Sequence, residues 1–413
     1  MKVYKFGGAS VKSAESVKNV KEILTNYPAD VVVVSAMDKM TNVFEELVES
    51  YFHHRPDLQQ KFDKIKDYHR NIACELFAQN HNAIKAVNGL FSEIENCLKK
   101  IPFVNYDKTY DQIVPYGEKL CSTILYHYLK QEGIGCKWLD ATKIIRTDDK
   151  FREANVDDTL TRKNIDREFQ TRELKLTQGF IGGNKEGYMT TLGREGSDYT
   201  AALFAALAGA DDVTIWKDVP GLLNADPRFF EETEVLEHIS YHEAVELAFY
   251  GAKVIHPKTI KPLQNYHIPL YVRSFLEPDK PGSLIDSVTE WDDNITSVII
   301  KRNQVLLTLK TMDFSFMAED HLHHLYGIFN KLGIKLNLMQ NSAITFSVCF
   351  DKEDEKLGSL LRAVEKTHHF KYNEGVELVT LRHYNPEAIR RVTQNRKVLL
   401  DQRNRLTAQL VLG

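Results

Sequence analysis

The chain is poor in cysteine, and its few cysteines form no recognisable set. Five cysteines are spread over 413 residues, and none belongs to a C-x-x-C pair. Their odd number and wide spacing argue against a disulfide framework and against a structural zinc site. The same usage is typical of proteins in a reducing compartment, so we expect a cytoplasmic location.

Long apolar runs and an excess of positive charge are also missing. No stretch approaches the ~20 consecutive apolar residues of a membrane helix, and the N-terminus lacks the apolar core of a secretory signal. Lys and Arg total 53 against 57 Asp and Glu, which gives a net charge of −4. Because proteins that bind nucleic acid usually carry a basic surplus, we expect neither a nucleic acid nor a membrane partner. The remaining composition, 43% apolar and 27% charged, is that of a globular protein.

Strand and helix patterns alternate through residues 1–288, which predicts an α/β domain with a mostly parallel sheet. Residues 3–6 and 31–34 are short β-prone runs, and a helical pattern follows the first of them. Between about residues 43 and 115 the sequence becomes helical and highly charged, which we interpret as a helical insertion. Residues 197–210 are apolar on nearly all sides and therefore predict a buried helix.

Two small α+β units are predicted after residue 288. Residues 304–310 have the pattern of a strand, and residues 334–340 and 343–350 alternate at period two around a turn. We predict a first unit at 303–375 and a second, truncated unit made of 289–302 and 376–413. Two similar small units after a large α/β domain suggest a paired regulatory module in 289–413.

The turn after the first strand, Lys5-Phe6-Gly7-Gly8-Ala9-Ser10, is the first candidate for chemistry. Two glycines before a helix expose backbone N–H groups that attract phosphate, and Lys5 can stabilise a transferring phosphoryl group. The string is neither a Walker A loop nor G-x-G-x-x-G. A tight turn with a surface lysine is therefore an open alternative.

A second candidate is the segment 190–202, where hydroxyls, glycines and Arg194 precede the predicted buried helix. Arg194 can hold a carboxylate through two hydrogen bonds, and Asp198 in the first helical turn can face an ammonium. An arginine and an aspartate this close suit a zwitterionic amino acid. A helix cap with an incidental ion pair is the alternative.

Other candidates lie in loops and helix starts. The segment 216–228 follows a predicted strand, and loops at the carboxyl ends of parallel strands commonly bind ligands. In the segment 251–257, Lys253 can face phosphates. Taken alone, Thr41 and Glu118 are more typical of helix caps.

Taken together and in order, these segments resemble the aspartate kinases of the amino acid kinase superfamily. The resemblance implies an amino acid kinase fold, a mostly parallel sheet between helices, followed by paired α+β domains of the ACT type. It covers essentially all of residues 1–285. The matching strings are KFGGAS (5–10), SAMDKMTN (35–42), GEKL (117–120), TTLGREGSDYTAA (190–202), KDVPGLLNADPR (217–228) and GAKVIHP (251–257).

The resemblance implies transfer of the ATP γ-phosphate to the side-chain carboxylate of L-aspartate, the first step of lysine, threonine and methionine biosynthesis. Mg²⁺ would arrive on the ATP phosphates, with no direct protein ligand. The implied catalytic residues are Lys5, Asp198 and Lys253. The implied substrate ligands are Thr41, Glu118, Arg194, Ser197 and Asp198. The implied ATP-binding residues are Lys5, Gly7, Gly8, Ala9, Lys217, Asp218, Leu223, Arg228, Lys253 and Val254.

Three residues depart from the family pattern. The family usually has glycine where Asp38 and Glu195 stand and threonine where Lys217 stands. The charge of Glu195 should weaken anion binding unless its side chain points away, and Lys217 adds a cation near the nucleotide. Two alternatives therefore stay open: an amino-acid-binding regulator without catalysis, and a related kinase with another carboxylate substrate.

The tail resembles the ACT domains of lysine-sensitive kinases, which bind amino acids and pair subunits. This implies an amino-acid effector, lysine or threonine, and a homodimer or a higher homo-oligomer. Asn337 and Ala343 stand where lysine-sensing members usually carry acidic residues, and the loss of two carboxylates should weaken lysine binding. No homoserine dehydrogenase sequence follows, so we expect a monofunctional enzyme.

Overall fold

The structure is a computed structural model that describes residues 1–100, 103–252, 255–313 and 315–413. Contacts between residues divide this chain into two units. The first unit contains the described residues of 1–222, 237–244 and 255–288. The second contains residues 223–236, the described residues of 245–254, and those of 289–413.

Strands and helices are numbered here in chain order. The strands are β1 (Lys2–Phe6), β2 (Val31–Val34), β3 (Cys136–Leu139), β4 (Leu174–Gln178), β5 (Ile181–Gly183), β6 (Met189–Thr191), β7 (Asp212–Lys217), β8 (His238–Ser240), β9 (Leu270–Ser274), β10 (Ser283–Asp286), β11 (Ser297–Thr311), β12 (Leu336–Asn341), β13 (Thr345–Asp351), β14 (His368–Arg382), β15 (Val398–Arg403) and β16 (Thr407–Leu412). The helices are α1 (Ala14–Asn26), α2 (Met40–Phe52), α3 (Leu58–Leu76), α4 (Asn82–Leu98), α5 (Tyr106–Ile113), α6 (Tyr116–Gln131), α7 (Ala141–Ile144), α8 (Asp158–Glu168), α9 (Gly196–Ala208), α10 (Tyr241–Tyr250), α11 (Pro257–Asn265), α12 (Glu319–Lys331), α13 (Asp354–Val364) and α14 (Pro386–Thr393). Within the described ranges, no helix combines the length and the apolar character needed to cross a membrane.

An eight-stranded sheet lies at the centre of the first unit, in the order β3-β4-β2-β1-β7-β9-β10-β8. In the described sheet all neighbouring strands are parallel except β9 and β10. This confirms the mostly parallel α/β sheet predicted from the alternation of strand and helix. Because β4, β2, β1 and β7 are parallel neighbours, the loops that follow them leave from one edge of the sheet.

The apolar patterns of the sequence explain which elements form the core of the first unit. All four valines of β2 are buried, as expected for a strand covered on both faces. Helix α9 is buried on nearly every side, which confirms the buried helix predicted for 197–210. Helices α2, α3 and α4 contribute Phe44, Phe62 and Phe91 to the hydrophobic cluster that also contains Val32 and Val34.

The second unit contains a six-stranded antiparallel sheet in the order β12-β13-β11-β14-β16-β15. The strand predicted at 304–310 is longer in the structure, because β11 begins at Ser297 and pairs with β14 along its whole length. Polar residues interrupt the apolar pattern where the register shifts between Lys301 and Gln304. The two predicted α+β patterns therefore lie in one sheet, and they share its two long strands, β11 and β14.

The turn after β1 packs directly against the chain that follows β2. A Cβ on Gly8 would lie 2.5 Å from the carbonyl oxygen of Asp38 and 2.9 Å from that of Ala36, so only glycine fits. The N–H of Asp38 donates to the carbonyl of Gly8 at 3.0 Å. Asp38 itself has a φ of +46°, a left-handed conformation that costs an L-residue about 1 kcal/mol.

Replacing Asp38 by glycine should therefore stabilise the protein by about 1 kcal/mol, because glycine adopts this conformation without the steric cost. Thermal unfolding followed by circular dichroism measures the gain as a rise in midpoint of about 2 °C. Asp38→Ala is the matched control, since alanine keeps the Cβ and should bring no gain. Equal midpoints for Asp38→Gly and the wild type would contradict the strain argument.

Candidate active site

A cavity of about 890 Å³ opens at the carboxyl edge of the parallel sheet in the first unit. Four neighbouring strands each bring one lining residue, at the strand end or just after it: Lys5, Ser35, Phe180 and Lys217. The start of α9 contributes Gly196, Ser197 and Asp198. Strand ends and a helix N-terminus that meet around one cavity form the usual ligand site of a parallel α/β sheet.

Lys5 and Asp198 form a buried ion pair in this cavity. The Lys5 Nζ lies 2.6 Å from Asp198 Oδ1, and the two side chains are only 9% and 5% exposed. The Lys217 Nζ lies 3.9 Å from Asp198 Oδ2. Burial alone would raise the pKa of Asp198, but the ammonium groups of Lys5 and Lys217 outweigh it and hold that pKa below its ordinary value. Asp198 is therefore a carboxylate held between two cations.

Glycines bring the start of α9 to this position. A Cβ on Gly179, the residue after β4, would lie 2.5 Å from the Cβ of Ser197. Glycine thus lets the first turn of α9 touch the end of β4, with Asp198 facing Lys5. The first-turn N–H groups of a helix carry partial positive charge, which adds to the attraction for an anion. Gly7 follows in the turn after β1, and a Cβ there would lie 3.5 Å from the Lys5 Nζ.

Glu118 places a second, unpaired carboxylate on the wall of the cavity. It lies in the first turn of α6 and is only 2% exposed. Its Oε1 accepts the backbone N–H of Ala36 at 3.1 Å, whereas no described residue offers a hydrogen bond to its Oε2. Burial raises the pKa of Glu118 to about 8, although the Ala36 N–H and the charge of Lys5 oppose the rise. A buried carboxylate that lacks a cation suits a ligand that brings an ammonium.

Arg194, Thr41 and Glu195 also line the cavity. Arg194 is exposed, and the described part of the chain gives it neither an ion pair nor a hydrogen bond. The Oε2 of Glu195 accepts the backbone N–H of His256 at 2.9 Å, which partly satisfies its charge within the protein. Its φ of +52° explains why glycine would suit this position. Among the described residues of the cavity wall, Arg194 is thus a positive group free to meet a ligand carboxylate.

Seven of the sequence-predicted residues line the one cavity, namely Lys5, Thr41, Glu118, Arg194, Ser197, Asp198 and Lys217. Gly7, Gly8 and Ala9 follow Lys5 in the turn after β1, and Asp218 is an exposed residue after β7. Leu223 and Arg228 belong to the second unit, where the guanidinium of Arg228 pairs with Asp226 at 2.5 Å. Lys253 and Val254 lie outside the described residues.

The sequence analysis missed several residues of the cavity wall. Ser35 directly follows β2, and Phe180 is the second residue after β4, so the rule that ligands bind beyond the carboxyl ends of parallel strands points to both. Glu45, Tyr110 and Arg152 have no such signal, because they reach the cavity from helices and a loop far apart in sequence. The Tyr110 hydroxyl donates to Glu45 Oε1 at 2.7 Å, and the Arg152 guanidinium lies 4.4 Å from the centre of the Tyr110 ring.

Known proteins similar to this chain are kinases. A model of the amino acid kinase family matches residues 1–274. The lysine-sensitive aspartokinase 3 of Escherichia coli (strain K12) is 30% identical over 397 residues, which are 92% of this chain and 86% of that protein. Seven chloroplastic relatives are longer, and the chain spans 41–66% of their length.

Two solved structures of aspartokinase III from Escherichia coli share the fold along the whole chain. The complex with lysine and aspartate, a T state, has a TM-score of 0.85 at 28% identity and is covered over 95% of its length. The complex with aspartate and ADP, an R state, has a TM-score of 0.81 at 28% identity and is covered over 96%. Together with the family match, these likenesses confirm the predicted fold class.

The raised pKa of Glu118 gives a pH dependence of stability that can be measured. Between its ordinary pKa of 4.5 and the raised value of about 8, the folded state binds more protons at this group than the unfolded state does. The contribution of Glu118 to stability is therefore present at low pH and is lost as the pH rises through this interval. Glu118→Gln cannot ionise, so its unfolding midpoint should fall less than that of the wild type between about pH 5 and pH 8.

Thermal unfolding of the two proteins across this pH range tests the assignment, with the midpoints closest at the acidic end. If the unfolding midpoints of Glu118→Gln and the wild type changed with pH in parallel, Glu118 would ionise normally in the folded protein.

Proposed function

The chain belongs to the aspartokinases of the amino acid kinase family, and we propose that it transfers the γ-phosphate of ATP to the side-chain carboxylate of L-aspartate. The products are 4-phospho-L-aspartate and ADP, in the first step of lysine, threonine and methionine biosynthesis. The observation that carries the proposal is the buried Lys5–Asp198 pair, with Lys217 beside it, in a cavity at the carboxyl edge of a parallel sheet.

The charges of the cavity suit the chemistry of this reaction. The nucleophile is already a carboxylate, so a strong general base is unnecessary. The main barrier is electrostatic repulsion, because the negatively charged aspartate carboxylate must come into contact with the negatively charged phosphates. Fixed ammonium groups, such as those of Lys5 and Lys217, lower this repulsion without having to reorganise during the reaction. Asp198 holds both ammonium groups in place from one side.

The opposite charges of Arg194 and Glu118 suit the two ends of an amino acid. Arg194 would hold the α-carboxylate through two hydrogen bonds, and the unpaired Oε2 of Glu118 would accept the α-ammonium. Hydroxyls of Thr41 and Ser197, which also line the cavity, would complete the contacts. The arriving ammonium favours the ionised form of Glu118, so binding of aspartate should release a proton.

On the nucleotide side, Mg²⁺ would be carried by the phosphates of ATP. No group of three or more His, Cys, Asp or Glu side chains in the described structure is placed to hold a metal ion, and Asp198 already faces two ammonium groups. Phosphate oxygens are hard ligands that Mg²⁺ prefers, and the bound ion would neutralise their charge. The ATP-binding residues that we propose with Lys5 are Gly7, Gly8, Ala9, Lys217, Asp218, Leu223, Arg228, Lys253 and Val254.

We assign catalysis to residues 1–288 and regulation to residues 289–413. The regulatory part would take an amino-acid effector, lysine or threonine, and would pair copies of the chain into a homodimer or a higher homo-oligomer. Two long strands shared by one antiparallel sheet support a tandem ACT-type arrangement. All five cysteines are free thiols, which supports a reducing compartment such as the cytoplasm.

Removing the ammonium of Lys5 should abolish most of the activity. Lys5→Ala deletes a cation that faces the transferring phosphoryl group, and loss of one preorganised charge typically costs at least about a hundredfold in kcat. Incubation with Mg-ATP, L-aspartate and hydroxylamine measures this, because aspartyl phosphate is trapped as its hydroxamate.

Lys2→Ala is the matched control for this variant. Lys2 lies on the same strand but is exposed, so its loss should leave turnover normal. Normal turnover by Lys5→Ala would contradict the role given to Lys5. A wild-type protein that binds aspartate and ATP but forms no hydroxamate would instead be a regulator without catalysis.

Lysine should inhibit this protein only at high concentration. The Asn337 side chain is already engaged within the sheet, since it accepts from Lys301 Nζ and donates to Gln304 Oε1, each at 2.8 Å. Restoring two carboxylates with Asn337→Asp and Ala343→Glu should lower the lysine concentration for half-inhibition by about tenfold or more.

Initial rates measured against lysine concentration test this expectation. Asn341→Asp is the control, because it adds a charge at an exposed position of the same strand. If the double variant gave a flat response, regulation by lysine at these positions would be ruled out.

A further inference from the structure

A buried carboxylate that has no part in the proposed phosphoryl transfer lies beside the cavity of the first unit. Asp111 of α5 is fully buried, whereas Asp107 and Tyr110 of the same helix line the cavity. The Oδ2 of Asp111 accepts the backbone N–H of Arg152 and that of Thr191, each at 2.9 Å. Its Oδ1 accepts the Thr191 hydroxyl at 2.8 Å. One carboxylate therefore joins a helix, a loop and a strand.

The loop in this cluster, residues 148–155, is named here the 148–155 loop. Its two ends are tied together, since the N–H of Asp148 donates to the carbonyl of Asn155 at 3.0 Å and the Asn155 side chain donates to Asp148 Oδ2 at 2.7 Å. Residues 150–153 of the loop all line the cavity. Arg152 has a φ of +66°, a conformation that persists only where the surroundings impose it. The bond from its N–H to the buried carboxylate is one such contact.

Thr191 connects the same carboxylate to residues 192–195, named here the Arg194 segment. Thr191 ends β6, and Arg194 follows three residues later in the cavity wall. The carbonyl of Thr191 accepts the N–H of Ala154 at 2.9 Å, so the 148–155 loop also bonds to the strand directly. A shift of Thr191 would therefore move the loop and the start of the Arg194 segment together.

The stability of the fold does not account for the charge of Asp111. Burial raises the pKa of Asp111 to about 6, although the hydrogen bonds from Arg152 and Thr191 oppose the rise. Within the described chain, no cation forms an ion pair that would lower this pKa. A pKa above the ordinary value of 3.8 means that the ionised form costs stability at neutral pH. A neutral side chain of the same shape would avoid this cost.

We propose that Asp111 is a positioning residue, whose carboxylate holds the 148–155 loop and the Arg194 segment together for the binding of aspartate. The proposal rests on the proposed function, which takes aspartate as the ligand of Arg194. A displacement of about 1 Å in the groups that position a substrate can cost about a hundredfold in rate. Hydrogen bonds to an ionised acceptor are about twice as strong as neutral ones, so the charge of Asp111 fixes the cavity wall more firmly than an amide would.

The test compares Asp111→Asn with the wild type in the full chain. The amide keeps the shape of the carboxylate but cannot ionise, so it weakens the bonds without leaving a cavity. Calorimetry gives the dissociation constant of aspartate, and initial rates of hydroxamate formation give kcat and the KM for ATP. We expect Asp111→Asn to bind aspartate about tenfold more weakly at pH 8. The kcat, the KM for ATP and the thermal midpoint should stay close to their wild-type values, because the loss affects binding alone.

The pH dependence separates positioning from a purely structural role. Protonation gives the wild-type Asp111 the same neutral charge that Asp111→Asn always has. The ratio of the two dissociation constants should therefore be about ten at pH 8 and shrink towards one as the pH falls below about 6. Titration of Glu118 cancels in this ratio, because Glu118 is present in both proteins.

The charges around Asp111 are compatible with this reading. Asp107 on the same helix adds to the rise of its pKa. Charged groups on neighbouring elements are engaged with other partners: the Arg152 guanidinium lies 4.4 Å from the centre of the Tyr110 ring, Glu45 of α2 accepts the Tyr110 hydroxyl at 2.7 Å, and Glu93 of α4 accepts the Tyr116 hydroxyl at 3.1 Å.

Two further variants test the contacts separately. Thr191→Val removes only the hydroxyl that donates to Asp111, and it should weaken aspartate binding by about threefold. Gln112→Ala is the matched control. The Gln112 side chain forms two hydrogen bonds with the backbone of Met189, at 2.9 and 3.2 Å, and so joins the same helix and strand. Because these bonds involve neither Thr191 nor the 148–155 loop, aspartate affinity should stay unchanged in this variant.

An unchanged dissociation constant in Asp111→Asn, or a ratio that stays constant between pH 5 and pH 8, would overturn the proposal. It would also be overturned if aspartate affinity, the KM for ATP and the thermal midpoint all worsened together, since that pattern indicates general destabilisation. If Asp111→Asn failed to fold, equal aspartate affinities of Thr191→Val and Gln112→Ala would overturn it instead.

Failure of the proposed function gives a different result. A wild-type protein that binds aspartate but forms no hydroxamate would refute the proposed function alone, because the dissociation constants still decide the role of Asp111. Absence of aspartate binding to the wild type would refute both.

Discussion

A buried ammonium at the carboxyl end of β1 is the constraint on which the site depends. An isolated charge at this depth would cost several kcal/mol, so Lys5 requires a buried carboxylate beside it. Asp198 meets that need only if α9 begins directly against β1 and β4. The N-terminus of a buried helix, two cations and a cavity are thereby brought to one edge of the sheet. The proposed phosphate site depends on the same geometry that stabilises Lys5.

Backbone conformation around the cavity carries further constraints. Three non-glycine residues of its wall, Arg152, Phe180 and Glu195, have positive φ angles, a strained conformation that persists when the surroundings impose it and that clusters at functional sites. Asp38, near the turn after β1, has one as well. Asp38 and Glu195 are two positions where the aspartate kinases usually have glycine. At both positions the backbone keeps the left-handed conformation that suits glycine, although the residue here is not glycine. The charge of Glu195 is partly satisfied because its carboxylate accepts the N–H of His256.

The features of the fold and the site that could be predicted from the sequence are those that depend on residues close together along the chain. The parallel sheet and the buried α9 follow from local apolar patterns. The string around Lys5 predicted a phosphate site, and the string around Asp198 predicted a site for an amino acid. The cavity wall built by Glu45, Tyr110 and Arg152 could not be foreseen, because it depends on packing between distant segments. The full length of β11 was missed for a similar reason, since polar residues break its pattern and only pairing with β14 continues the strand.

A double-mutant cycle on the unfolding free energy tests the central claim most directly. Lys5→Met leaves the buried Asp198 with only the more distant Lys217, and Asp198→Asn leaves the buried Lys5 without its carboxylate, whereas the double variant removes both charges of the pair. If the pair holds α9 against β1, each single variant should lose about 3–5 kcal/mol and the double variant should recover at least about 2 kcal/mol of the summed loss. Strictly additive losses, or single variants as stable as the wild type, would show that the two charges do not depend on each other.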